Sequence, residues 1–395
     1  MPSTFYEGVA RELGLEDANL DFPDLMTEFV KKRSRNELIT SFVGRKRYIE
    51  SFPDLLRRAT RFHRAVGQIP FFQEIVTTNW DDYFERATGS VPLVYGADFD
   101  YWDLPQRKVI KVHGSMLNPG SIVATRTEYD ASLEALRSGA LGGTVRHLMA
   151  TRSVVFIGYS LRDDDIRAVI DVLRADLATA ARPCYFVHPS DAFEPPIPGS
   201  EVFHTSAAKF IELLDDALVE ADYLLPLEMY DRLNSIEGMF RRARTRFDDR
   251  VFPWKYPLAI LNHSYQDGFG DALDRVRAHR ITGEHRRHHD LTHTARGYLE
   301  AVKIATKKKA YWDAAYMEGY ALGLAALATN RWPMNRVPFY YCPGLGPSTS
   351  FSEIAKAVRA GAATHKPAFR WAAKETKELP EGMYFIHSPF LPSYG

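Results

Sequence analysis

The stretch KVIKVHGSMLNPG, residues 108–120, decides the fold class. Residues 109–112 form a short, almost fully apolar run, which is typical of a strand covered on both faces in a parallel α/β sheet. His113, Gly114 and Ser115 follow at once, so the strand is predicted to end in small polar and ionisable groups. A histidine beside a glycine at a strand end can face a cleft, and its pKa suits general-base chemistry. A structural histidine remains an open alternative.

A second strand end of this kind lies in IVTTNWDDYFE, residues 75–85. Its apolar start leads into polar residues at four positions: Thr77, Thr78, Asn79 and Asp81. An asparagine can donate and accept, which suits a ribose diol, and an aspartate can accept from a hydroxyl or an amide. The competing interpretation is that Asp81 or Asp82 caps the next helix.

A third strand end lies in FIGYSLRDDDI, residues 156–166. Gly158 allows a ligand to approach the backbone, and Ser160 offers a hydroxyl. The acids at 163–165 favour the positive end of the following helix, which is a sufficient structural reason for them. Because ligands of parallel α/β sheets bind outside the carboxyl ends of the strands, the three stretches predict one binding edge.

The pattern of apolar residues changes twice along the chain. Residues 4–72 have helical periodicity, and short apolar runs then alternate with helical or looped stretches. Beyond Asp222 the pattern is mostly helical. Strands are predicted at 75–78, 93–95, 109–112, 122–124, 154–157, 185–187 and 202–203, with one late strand in the tail GMYFIHSPF. The predicted fold is α/β, a Rossmann-like parallel sheet with a helical insert (1–222), followed by a mainly helical domain (223–395).

Composition excludes several classes of protein. The 395 residues carry 50 Lys and Arg against 50 Asp and Glu, so net charge gives no reason to expect nucleic acid or an anionic membrane as a partner. No apolar run approaches the roughly 18 residues that span a bilayer. With two cysteines, a four-cysteine zinc site is impossible and a disulfide framework is not expected. The N-terminus has no signal-peptide pattern, and we expect a cytoplasmic protein.

A histidine cluster occurs in EHRRHHDLTHT, residues 284–294. His285, His289 and His293 are spaced i, i+4 and i+8, which would place them on one helical face and could ligate zinc. Arg286 and Arg287 would repel a cation there. We therefore expect a polar or basic helix face and no metal.

Together the three strand-end motifs resemble the sirtuin-like family, specifically its divergent branch in bacterial defence proteins. The sirtuin T-x-N-x-D motif is matched by Thr77, Asn79 and Asp81. The His-Gly motif is matched by His113 and Gly114, and the later Gly-x-Ser motif by Gly158 and Ser160. The divergent branch writes these motifs as TTN-aromatic-D, HGS and GYSL-R-D, as they stand here. The resemblance covers roughly residues 1–220.

The resemblance implies cleavage of the bond between nicotinamide and ribose in NAD. Asn79 would hold the ribose, Asp81 the nicotinamide amide, and His113 would act as a base on a ribose hydroxyl. Further NAD contacts would come from Thr77, Thr78, Gly114, Ser115, Gly158, Tyr159 and Ser160. Since the chain lacks the cysteines of the sirtuin zinc ribbon, we expect NAD hydrolysis rather than deacylation. The appended domain would sense a trigger protein or form a homo-oligomer.

One feature of the family is not found in the sequence. The family opens with a strand and a G-A-G-x-S phosphate loop, whereas this chain begins at MPSTFYEGVARELGLE, which resembles the segment after that loop. We expect the true start of the protein to lie upstream of Met1. The alternative is that the first strand and its loop have been lost. If the chain is complete as it stands, we expect weak or absent cleavage of NAD. GALGGT, residues 139–144, precedes a predicted helix and could mimic a phosphate loop, but it lacks the strand before it and is not expected to replace the missing loop. The alternative function is a non-catalytic module that binds NAD, ADP-ribose or a related nucleotide.

Overall fold

A computed structural model describes residues 4–158, 182–248, 257, 259–329, 350, 352–353, 356, 359–360 and 366–377. The chain divides into two compact units, Met1–Asp215 and Asp216–Gly395. Among the described residues, no helix combines the length and apolar character needed to cross a membrane.

The first unit opens with five helices: α1 (Phe5–Leu13), α2 (Phe22–Lys32), α3 (Arg35–Glu50), α4 (Pro53–Ala59) and α5 (Arg61–Gly67). The first helix begins with a capping box, in which Thr4 Oγ1 accepts from Glu7 N at 3.2 Å and Glu7 Oε2 accepts from Thr4 N at 2.7 Å. The apolar faces of α1, α2 and α3 share one buried cluster formed by Val9, Leu25, Met26, Phe29, Leu38 and Phe42.

Two three-stranded sheets follow, and every pairing in them is parallel. The first contains β1 (Glu74–Thr77), β2 (Val91–Leu93) and β3 (Lys108–Lys111) in the order β1-β3-β2. The second contains β4 (Val154–Ile157), β5 (Cys184–His188) and β6 (Glu201–His204) in the order β4-β5-β6. Among the described strands, β1 pairs with β3 alone and β4 pairs with β5 alone.

The described helices of the sheet region are α6 (Tyr83–Thr88), α7 (Arg126–Ser138), α8 (Ala140–Thr151) and α9 (Ala207–Glu220). A compact core joins β2 and β3 to α7 and α8 through Leu93, Ile110, Val112, Leu136, Val145 and Leu148. Arg152, two residues before β4, pairs with Glu74 at the start of β1, with Nη2 3.2 Å from Oε1. The predicted α/β, Rossmann-like class with N-terminal helices is confirmed.

One local prediction in this unit is wrong. Residues 122–124 form no strand, and Ile122 and Ala124 are instead buried in the cluster of the N-terminal helices. Residues 139–144 were not expected to replace the phosphate loop, and α8 indeed begins at Ala140 directly after α7, without a strand between them. The predicted late strand in the tail lies outside the described residues.

The second unit is mainly helical, as predicted. Its described helices are α10 (Met229–Asp248), α11 (Ala259–Ala278), α12 (His288–Lys307), α13 (Tyr311–Ala328) and α14 (Lys366–Glu375). Helices α11 and α13 approach each other closely at two glycines. A Cβ at Gly268 would lie 2.0 Å from Tyr316 O, and one at Gly319 would lie 1.9 Å from Tyr265 O. The small residues therefore determine how near the two helices can come.

The predicted three-histidine face is also wrong. His285 belongs to a short 3-10 turn, Glu284–Arg286, that ends before α12 begins. Between them, Arg287 is extended (φ −65°, ψ 108°) and forms a β-bridge with Leu224, which interrupts the helix. Of the three histidines only His289 and His293 share α12, with ring centroids 5.9 Å apart.

Candidate functional site

The loops that follow β1 and β3 lie against each other. Val112 N donates to Thr77 O at 3.0 Å, and Met116 N donates to Trp80 O at 2.8 Å. These two bonds continue the parallel pairing of the strands past their carboxyl ends. The predicted site residues at 77–81 and 113–115 are therefore brought to one edge of the sheet.

The β1 loop is shaped by its own side chains. Thr77 Oγ1 accepts from Asn79 N at 3.1 Å, and Asp81 Oδ1 accepts from Tyr83 N at 3.0 Å. The second bond is an Asx turn that leads into α6, so Asp81 does part of the capping work expected of it. Asn79 is exposed, whereas Asp81 and Thr78 are half-buried.

The β3 loop turns sharply at Gly114, which has a φ of +83°. A Cβ at this position would lie 2.0 Å from Ser121 O, so only glycine fits. Ser115 N donates to Ser121 Oγ at 2.9 Å, and Ser115 Oγ accepts from Leu117 N at 3.2 Å. The His-Gly-Ser motif thus forms a closed turn with defined geometry.

His113 lies inside the domain. It is 2% exposed, and its ring centroid lies 4.7 Å from that of Tyr129 in α7. Its main-chain oxygen accepts from Val123 N at 3.0 Å, which fixes the backbone on the far side of the turn. The imidazole is therefore held at the predicted strand end, but packed against an aromatic ring instead of facing solvent.

A buried lysine supports the β1 loop from below. Lys111 is 1% exposed at the end of β3 and donates from Nζ to the main-chain oxygen of Asp81. Its Nζ also lies 3.4 Å from Glu85 Oε1. Burial raises the pKa of Glu85, and the ammonium of Lys111 opposes that shift. The sequence signal was a lysine within the otherwise apolar run 109–112, and its role was not predicted.

The N-terminal helices hold the same loop from the other side. Trp80 packs against Phe42 of α3 with ring centroids 4.5 Å apart and against Phe22 of α2 at 5.8 Å. Lys46 of α3 pairs with Asp82 at 3.0 Å. The helical insert therefore positions the loop that carries Asn79 and Asp81.

A cleft of about 490 Å³ lies on the α7–α8 side of the β3 turn. Its lining includes Tyr95, Gly114, Ser121, Glu128 and Gly139. The volume falls within the range of roughly 300–1,000 Å³ usual for small-molecule sites. Asn79, Asp81 and His113 are not among its lining residues, so the cleft adjoins the predicted catalytic set without containing it.

Gly158 follows β4 in the second sheet, where it is exposed and has a φ of +68°. No described atom lies within 4 Å of the place where its Cβ would be. Tyr159, Ser160 and the acids at 163–165 lie outside the described residues. The third predicted motif is thus represented in the structure by its glycine.

Comparison with known proteins bears on the region that contains the six described strands. Residues 73–211 match the family model of the SIR2-like domain. No curated protein matches the chain. SIR2-like domains use NAD, so the match implies nucleotide binding. Residues 73–211 therefore form a sirtuin-like domain, whose function is expected to depend on NAD.

Proposed function

We propose that the SIR2-like domain hydrolyses NAD at the bond between nicotinamide and ribose. The observation that carries the proposal is the adjacency of two loops, one bearing Asn79 and Asp81 and the other His113, at the carboxyl edge of a parallel sheet. Ligands of such sheets bind at this edge. The family match over residues 73–211 supplies the substrate class.

The reaction breaks the glycosidic bond between C1′ of the ribose and N1 of nicotinamide. The bonding pair leaves with nicotinamide, which departs neutral, and C1′ passes through an oxocarbenium-like state. A water oxygen then bonds to C1′ and loses a proton, giving ADP-ribose. Catalysis of this kind depends on orientation and on stabilising charge more than on a strong nucleophile.

Each loop residue has a role that suits its position. The exposed amide of Asn79 would hold the ribose hydroxyls. Asp81 uses Oδ1 to accept from Tyr83 N, and its Oδ2 would accept from the nicotinamide amide. His113 would take a proton from a ribose hydroxyl or position the water. For this the 2%-exposed imidazole has to become accessible, which requires its contact with Tyr129 to rearrange when NAD binds.

The experiment is nicotinamide release from NAD by the full chain and by matched variants. Asn79→Ala and His113→Ala are expected to lower turnover by about 100-fold or more, in line with the loss of a general base or a positioning group. Asn234→Ala and His289→Ala change the same residue types at exposed positions of the second unit and should turn over NAD like the wild type. Undiminished turnover in both site variants would overturn the site assignment.

A second candidate function is binding without cleavage, and the burial of His113 favours it. In that case the wild-type chain would bind NAD or ADP-ribose, as measured by calorimetry, and release no nicotinamide. Asn79→Ala would then weaken binding, whereas His113→Ala would leave it unchanged. The two candidates are separated by measuring binding and turnover on the same preparation.

The biological setting we propose is depletion of NAD in bacterial antiviral defence, with the second unit contacting a trigger protein or a second copy of the chain. Its support is the resemblance of the TTN-aromatic-D, HGS and GYSL-R-D motifs to the defence-associated branch. Cells that express the wild-type chain should lose NAD and resist phage, and cells that express His113→Ala should not. Equal protection by both chains would refute this setting.

A further inference from the structure

The connection between α11 and α12 brings two histidines and a glutamate together in the second unit. His279 follows α11, and Glu284 and His285 begin the next 3-10 turn. Gly283 lies between them with a φ of +67°, and this left-handed residue folds the chain back on itself. One ligand atom from each of the three side chains lies within 4.8 Å of the other two.

We propose that His279, Glu284 and His285 form a binding site for a divalent transition-metal ion, with Zn²⁺ as the best fit. Two imidazole nitrogens and one carboxylate oxygen are a donor set that zinc accepts, and they leave a fourth position for water or another ligand. The site is independent of the NAD chemistry proposed for the first unit.

The distances are close to those of a coordinated ion. In a tetrahedral zinc site, metal–ligand bonds of about 2.0–2.2 Å place neighbouring ligand atoms roughly 3.3–3.6 Å apart. His285 Nε2 lies 3.4 Å from Glu284 Oε1, which matches that spacing. His279 Nδ1 lies 2.7 Å from the same oxygen, which is a hydrogen-bond distance. To reach the spacing of two zinc ligands, His279 has to move away from Glu284 by roughly 0.6–0.9 Å.

The pattern of burial favours this adjustment. The His285 side chain is 18% exposed, whereas those of His279 and Glu284 are 41% and 45% exposed. The two outer ligands can therefore rotate toward an ion while the inner one stays fixed. The Nε2 atom of His285 is buried and makes no hydrogen bond among the described residues, so its lone pair is available to a metal.

A second layer of contacts orients the carboxylate. Thr282 Oγ1 lies 3.3 Å from Glu284 Oε2, the oxygen that does not face the histidines. The same hydroxyl donates to His279 O at 2.9 Å, so Thr282 connects the two outer ligands. Contacts of this kind hold metal ligands in place, and their loss typically weakens binding by about 10–100-fold.

The neighbouring arginines are directed to other partners. Arg280 lies over the Tyr230 ring at 4.7 Å, Arg286 Nε donates to Leu225 O at 2.9 Å, and Arg287 pairs with Asp290 at 3.2 Å. Their charges, together with that of Arg275, which acts on His285, still reduce the affinity for a cation. The repulsion anticipated from Arg286 and Arg287 is therefore lessened by where their guanidinium groups bind.

The site would lock the connection between α11 and α12. A metal bridging His279 to His285 closes the loop across Gly283, in the way a structural ion stabilises a small turn. The open fourth position lies on the partly exposed side, where a water or a group from another molecule could complete the tetrahedron.

The test is metal binding by the full chain carrying no histidine tag. The protein is first freed of metal with a chelator, and Zn²⁺ or Co²⁺ is then added. One equivalent of Zn²⁺ is expected to stay bound through gel filtration. Bound Co²⁺ is expected to give visible absorption bands typical of four-coordinate cobalt. Glu284→Gln and His285→Ala should abolish both signals, and Thr282→Val should weaken Zn²⁺ binding by about 10–100-fold. Circular dichroism confirms that the variants fold, and Glu284→Gln, at an exposed side chain, is the variant least able to disturb the core.

The matched control is His289→Ala, a histidine of α12 that is outside the cluster, which should bind Zn²⁺ like the wild type. No retained Zn²⁺, or full retention in folded Glu284→Gln, would overturn the proposal. The proposal would also be overturned if His289→Ala lost Zn²⁺ binding while His285→Ala kept it. That result would place the ion at the stacked pair His289 and His293.

Discussion

Replacing Gly114 with alanine tests whether the His-Gly-Ser turn is a rigid element. An alanine in the left-handed conformation costs about 1–2 kcal/mol. Its Cβ would also lie 2.0 Å from Ser121 O, and no side-chain rotation relieves a clash with a main-chain atom. The turn must open, which removes the bonds Ser115 N–Ser121 Oγ (2.9 Å) and Val123 N–His113 O (3.0 Å), at roughly 1 kcal/mol each. The total is about 3–4 kcal/mol of lost stability.

The assay is unfolding in urea, detected by hydrogen exchange in peptides from residues 105–125. Because these peptides belong to the first unit, the second unit does not contribute to the signal. The control is Gly120→Ala in the same loop, where the nearest described atom to a new Cβ is Asn118 Oδ1 at an ordinary 3.6 Å. That variant should stay within about 0.5 kcal/mol of the wild type. A loss below 1 kcal/mol for Gly114→Ala, or equal losses for both variants, would refute the reasoning.

Three further predictions concern the supports of the two units. Lys111→Met should destabilise the first unit by about 3–5 kcal/mol, because it leaves Glu85 buried without its cation; the double change Lys111→Met with Glu85→Gln should recover part of that loss in urea unfolding. Burial alone would raise the pKa of Glu128, but main-chain N–H groups of Thr125 and Ala124 and the Arg35 side chain outweigh it and hold that pKa below its usual value. The ionised Glu128 therefore contributes stability above about pH 4.5, and this contribution is lost as the pH falls further. Glu128→Gln should lower the free energy of unfolding at pH 7 and make it depend less on pH in the acid range. Gly268→Ala should lower the melting temperature of the second unit, because its Cβ would meet Tyr316 O, whereas Gly297→Ala in α12, with no described atom within 4 Å, should leave it equal or slightly higher.

Apolar runs made most of the strands predictable. Residues 154–157 were predicted to the residue, because a short apolar run between polar flanks has few alternatives to a strand buried on both faces. Residues 122–124 are also wholly apolar, yet they form no strand. Their apolar side chains fill the cluster under α2 and α3 instead, and that partner lies about a hundred residues away in the chain, beyond the reach of any local pattern.

The sequence predicted where the candidate site residues lie along the chain, but it did not predict how exposed their side chains are. The order of the three motifs placed Asn79, Asp81 and His113 at strand ends, and the structure puts the first two strand ends together. The burial of His113 depends on Tyr129 from α7, a contact that no spacing within the motif encodes. Whether Ser160 completes the site stays a prediction, since it lies outside the described residues.

The histidine cluster shows how a periodic pattern can mislead. A spacing of four residues suggested one helical face for His285, His289 and His293, but the helix starts after the first of them. The bridge between Arg287 and Leu224 breaks the helix, and it is a tertiary contact. The group that does converge includes His279, from the other side of Gly283.

The central claim is that the SIR2-like domain cleaves NAD through the residues at the ends of β1 and β3. The most direct measurement follows NAD loss and nicotinamide release together in wild type and in His113→Ala, with NAD binding determined on the same samples. We predict equal rates of loss and release in the wild type, and binding without release in folded His113→Ala. Release by His113→Ala at the wild-type rate, or bound NAD that the wild type never cleaves, would contradict the claim.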